Sequence, residues 1–101
     1  MTPNILNTAI YQSTALTLSL ILTREKIPHT VRELHGGYQF RFPWCHGDMV
    51  CHSYSYSNKW GCLESYGFPW DEDDVSVFSI GDAADKIIGY YLKLKEEGRL
   101  E

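Results

Sequence analysis

The residues with the most chemical potential cluster in the middle of this chain. Cys45-His46, Cys51-His52 and Cys62 supply thiols and imidazoles, the donors zinc prefers. Zinc needs four such donors to converge, and no Cys-x-x-Cys pair is present. Adjacent strand residues such as Cys51 and His52 point to opposite faces, so no metal centre is expected. A cysteine nucleophile needs a depressed pKa, a positioned base and an oxyanion hole. Cys45 with His46 or His35 supplies two of these three. No strand-to-helix elbow or glycine loop supplies the third, so no catalytic residue is assigned and the chain reads as a non-enzyme. Asp71-Glu72-Asp73-Asp74 lacks the alternation, glycine and terminal glutamate of an EF-hand loop.

The acid run has a second use. Between Gly47 and Asp85 the chain carries eight carboxylates, Asp48, Glu64, Asp71, Glu72, Asp73, Asp74, Asp82 and Asp85, against the single base Lys59, about −7 locally. The whole chain carries only −4, so the remainder is mildly basic. Charge segregated in this way steers a basic partner. Trp44, Trp60, Trp70, Tyr54 and Tyr56 lie in the same part of the sequence. Aromatic anchors rimmed by carboxylates suit a protein-binding surface. The expected partner-binding set is therefore Asp48, Asp71, Glu72, Asp73, Asp74, Trp44, Trp60, Trp70, Tyr54 and Tyr56. Tyr38, Phe40 and Phe42 are assigned to the core.

The elements that must position these residues follow from periodicity. Thr2-Pro3 reads as a helix start, and Asn4 to Lys26 lacks Gly and Pro. Ile5, Ala9, Leu16 and Leu20 share a side at helical spacing. Leu16, Leu18, Leu20 and Leu22 also alternate as a strand would. The length of the segment selects helix, ending at Ile27-Pro28. Strands are predicted at Thr30–Leu34, Tyr38–Phe42, Asp48–Tyr56 and Cys62–Phe68, with a short fifth at Val75–Phe78. A turn is placed at His35-Gly36-Gly37. Val50, His52, Tyr54 and Tyr56 take one face of the third strand, and Met49 and Cys51 the other. Ser79 caps a second helix with the stripe Ile80, Ala84, Ile87, Tyr91 and Leu94 and a C-terminal Gly98. The expected fold is α+β: an N-terminal helix, a four- or five-stranded antiparallel sheet and a C-terminal helix, both helices on one sheet face.

Phe42-Pro43-Trp44 recurs as Phe68-Pro69-Trp70, and each copy is followed, across three residues, by an aspartate at the start of the next segment (Asp48 and Asp74). These read as two equivalent strand exits at one end of the sheet.

At 101 residues the chain is one domain with a single core. Hydrophobic residues at 44% and charged residues at 22% are globular values. The negative balance argues against direct nucleic-acid binding and against an anionic membrane surface. The longest apolar run, Ala15 to Leu22, is too short to span a bilayer, and the N-terminus lacks the pattern of a signal peptide. Three cysteines without an export signal are expected to be reduced thiols in a cytoplasmic protein.

In length, acidity and helix–sheet–helix order the chain resembles the small accessory proteins of phages and mobile elements, anti-CRISPR proteins among them. That resemblance implies a carboxylate run such as Asp71 to Asp74 occupying a nucleic-acid groove on a basic target, without a cofactor. Two other classes remain open: a zinc- or thiol-dependent protein using Cys45, Cys51 and Cys62, and a self-associating module pairing through an exposed strand or sheet face.

Overall fold

The computed structural model describes residues 5–45, 47–51, 62–66 and 75–100. Helix α1 (Ile5–Arg24) leads into β1 (Thr30–Leu34), β2 (Gly37–Arg41), β3 (Asp48–Cys51), β4 (Cys62–Tyr66) and β5 (Val75–Ser79), and helix α2 (Ile80–Glu96) closes the order. The strands form one antiparallel meander in the spatial order β1-β2-β3-β4-β5. This is the expected α+β fold, with the fifth strand present. The outer parts of two predicted strands, 52–56 and 67–68, lie outside the described residues, as does the helix start at Thr2-Pro3.

Local chemistry explains the boundaries. His35 and Gly36 join β1 to β2 with φ of 52° and 77°, the two left-handed residues of a tight hairpin turn. Gly37 opens β2 rather than ending the turn. The α1 helix ends where Lys26 adopts φ 60°: Ile27 N–H donates to the Leu22 carbonyl and Lys26 N–H to that of Thr23. These are the paired bonds of a Schellman cap, and buried Ile27 and Leu22 supply its apolar contact. The same bonds close α2, from Arg99 to Leu94 and from Gly98 to Lys95, with Gly98 at φ 68°. At its start the Ser79 hydroxyl accepts from the Asp82 N–H.

Both helices pack on the same sheet face, α1 over β2 and β3, α2 over β4 and β5, and they touch each other. Phe40, Met49, Cys51 and Leu63 point from the strands into this layer and are fully buried. They meet Leu18 and Leu22 from α1 and Ala83, Ala84 and Ile87 from α2. The α2 stripe follows the sequence expectation. The α1 stripe does not: Leu16 and Leu20 are 58% and 62% exposed, and Ala9 is exposed too. The buried face is instead Tyr11, Thr14, Ala15, Leu18 and Leu22. Thr14 is tolerated there because its hydroxyl donates to the Ile10 carbonyl at 2.9 Å, which satisfies the donor.

Candidate binding surface

Strand alternation decides which residues face away from the helices. Because Phe40, Met49 and Leu63 are buried, Gln39, Arg41, Asp48, Val50 and Glu64 take the opposite face, and the pairing of Arg32 with Gln39 puts Arg32 beside them. No described helix covers this face. Val77 of β5 is 46% exposed on it. A polar ladder crosses three strands here: Arg32 Nε donates to Gln39 Oε1 at 2.5 Å, and Gln39 Nε2 donates to Asp48 Oδ2 at 2.7 Å. Arg41 stands opposite Asp48 in the register. Arg32, Gln39, Arg41 and Asp48, with Cys45 and Gly47 from the following turn, line a cleft of about 370 Å³.

Strands β2 and β4 run in the same direction, so the exits after Arg41 and after Tyr66 leave the same end of the sheet, where β3 and β5 begin at Asp48 and Val75. Of the expected partner-binding residues, Asp48 lies at this end and is half-buried. Trp60, Trp70, Tyr54, Tyr56, Asp71, Glu72, Asp73 and Asp74 lie outside the described residues.

Trp44 corrects the expectation. It is 3% exposed, and its indole N–H donates to the Pro28 carbonyl at 2.7 Å. Its ring meets Tyr91 edge-on at 5.1 Å and lies 5.3 Å from Phe42 and 6.1 Å from Tyr90. A side chain enclosed on all these sides is a core residue that fixes the turn after β2, not an anchor for a partner. The acids also divide. Asp48 and Glu64 are on the open face, while Asp82 and Asp85 are exposed on α2, which packs against the other face.

The thiols do not converge. Cys51 points into the core, where its thiol donates to the Tyr11 carbonyl at 3.8 Å. Burial pushes its pKa up to about 11, with a backbone hydrogen bond at Tyr38 offsetting part of the rise. Burial likewise raises Tyr11, with the neighbouring Cys51 adding to it. Cys62 shares the face of Glu64, opposite to that of Cys51. Cys45 sits in the turn after β2. Among the described residues no three His, Cys, Asp or Glu side chains are placed to hold a metal ion.

Sequence reading missed one pair of residues. Ser19 Oγ lies 2.8 Å from His29 Nε2, and His29 Nδ1 lies 2.8 Å from the Ile27 carbonyl. A carbonyl only accepts, so Nδ1 carries a proton, and in the tautomer with the proton there alone Nε2 accepts from the serine hydroxyl. Nucleophile, base and orienting group stand in order. However, Ser19 is inside α1, where backbone N–H groups are spent on the helix ladder and cannot form an oxyanion hole. The pair ties the segment before β1 to the helix, and the stacking of His29 on Phe40 at 5.9 Å supports the same tie. Ten residues separate the partners, with a helix end between them, so no local spacing signals the pair. No helix among the described residues is long and apolar enough to cross a membrane. No family model, curated protein or solved structure matches this chain.

Proposed function

We propose that this chain is a non-enzymatic protein-binding module that docks on a basic surface of another protein through the end of the sheet where β3 and β5 begin. The observation that carries this reading is the one-sided fold: both helices cover one face, and the acid run 71–74 is joined directly to Val75, the first residue of β5. In its sharper form the module competes with nucleic acid for a cationic groove on its target, as the resemblance to phage and mobile-element accessory proteins implies. Asp48 is already engaged by the Gln39 amide within the chain, so the weight of this reading rests on the acid run. The test is to replace Asp71, Glu72, Asp73 and Asp74 with their amides and measure affinity for the protein captured from host lysate as a function of salt. Weaker binding with a flatter salt dependence supports docking through the run, and unchanged affinity and salt dependence exclude it.

A second reading has its own observation. β1 is an edge strand, exposed at four of its five residues, with Val31 at 38% exposure. Such an edge pairs readily with another copy. A solution mass of one chain at high concentration removes this reading. A dimer that Val31→Pro dissociates supports it.

A further inference from the structure

We propose that the cleft between Arg32 and Arg41 is an oxyanion-binding site that takes a carboxylate or a phosphate group. The register places the two arginines on one face of adjacent strands, with Arg41 two residues beyond Gln39, the direct partner of Arg32. Diagonal neighbours of this kind are about 7–8 Å apart at the backbone, within reach of two long side chains converging on one ligand. Both line the same cleft.

The hydrogen-bond inventory sets the ligand class. A guanidinium only donates. Arg32 gives its Nε–H to Gln39, and Arg41 has no hydrogen bond or ion pair with a described residue. The carboxylate nearest in the register, that of Asp48, is engaged at Oδ2 by Gln39. Two positive groups against one negative, with most of their donors uncommitted, favour an anion over a cation or an apolar guest. Planar guanidinium forks match carboxylate and phosphate oxygens in pairs.

The site is also held in shape before a ligand arrives. Asp48 fixes Gln39, and Gln39 fixes the Arg32 guanidinium. The Cys45 wall follows Trp44, whose indole is locked in the core and bonded to Pro28. Preorganised groups lose less freedom on binding. None of this depends on the acid run, so the site stands or falls apart from the docking proposal.

The experiment is an NMR titration of the full chain, following arginine Nε–Hε signals as inorganic phosphate or acetate is added at constant ionic strength. Saturable shifts are expected at Arg32 and Arg41 but not at Arg24 on α1. Arg41→Gln is expected to weaken binding about tenfold or more, the loss of a charge-assisted hydrogen bond, while Arg41→Lys retains part of it. Arg41 is exposed, so neither change threatens the fold. Saturation by acetate alone points to an acidic side chain of a partner, and preference for phosphate points to a phosphorylated ligand. Shifts that are linear, that appear equally at Arg24, or that survive Arg41→Gln overturn the proposal.

Discussion

Removing the Trp44 side chain is expected to cost the fold a large part of its stability. The indole is 3% exposed, and an enclosed tryptophan buries about 150–250 Å². At about 25 cal/mol per Å² this corresponds to roughly 4–6 kcal/mol of transfer free energy. Trp44→Ala also leaves a cavity beside Phe42, Tyr90 and Tyr91 and strips the Pro28 carbonyl of its donor. A loss of about 3–5 kcal/mol is expected, the range for large aromatic deletions. A domain of this size holds on the order of 5–15 kcal/mol in total, so the variant should be marginal. Trp44→Phe keeps an aromatic ring and loses the hydrogen bond, and about 1–2 kcal/mol is expected. Urea denaturation followed by far-UV circular dichroism measures both variants, and the phenylalanine variant stays informative if the alanine variant does not fold. A loss below about 1 kcal/mol for Trp44→Ala, the size of a surface substitution, would refute the core assignment and return Trp44 to the partner-facing set.

Other perturbations test separate parts of the structure. Leu18→Ala should cost about 2–5 kcal/mol, whereas Leu16→Ala and Leu20→Ala should each stay within about 0.5 kcal/mol; the reverse order would invert the face assigned to α1. Lys26→Gly should raise stability by about 0.5–1 kcal/mol, because lysine holds the left-handed position of the α1 cap at a steric cost glycine does not bear. A melting temperature that falls instead would contradict this. The Cys51 thiol titrates near 8.5 in an unfolded chain and about 11 when folded, so above pH 8.5 the unfolded chain binds fewer protons. Stability from this group is fully present below that pH and is lost as pH rises towards 11, by up to roughly 3 kcal/mol. Cys51→Ala should remove that part of the decline, and identical pH profiles for the two proteins would count against a buried thiol.

The legible parts of the fold are those in which local signals agree. In α2 the Ser79 cap, the Ala84–Ile87–Leu94 stripe and Gly98 all specify one helix, and each takes its expected role. The α1 segment carries apolar residues on every side, so its sequence specifies a helix without specifying a face. The choice of Leu18 and Leu22 over Leu16 and Leu20 is made by the strands and by α2. Trp44 was illegible for a related reason. A tryptophan beside Pro43 in a turn looks surface-bound, and the groups that enclose it come from Pro28 and from Tyr90 and Tyr91, far away in sequence. On the candidate surface, alternation puts Met49 and Cys51 on one face of β3 and Val50 on the other, as found, but alternation alone does not group Asp48 with Gln39 and Arg41 or part Cys51 from Cys62, which takes the register of β2, β3 and β4. It did not reveal that Gln39 bridges Arg32 to Asp48, because that contact depends on the β1–β2–β3 register.

The salt dependence of target binding tests the proposed role most directly. Wild-type protein and the variant with Asp71, Glu72, Asp73 and Asp74 amidated are compared across ionic strength against the same captured partner. The wild type should bind more weakly as salt rises, while the variant binds weakly at every salt concentration with little slope. Two superimposable curves would show that these four carboxylates do not make the contact.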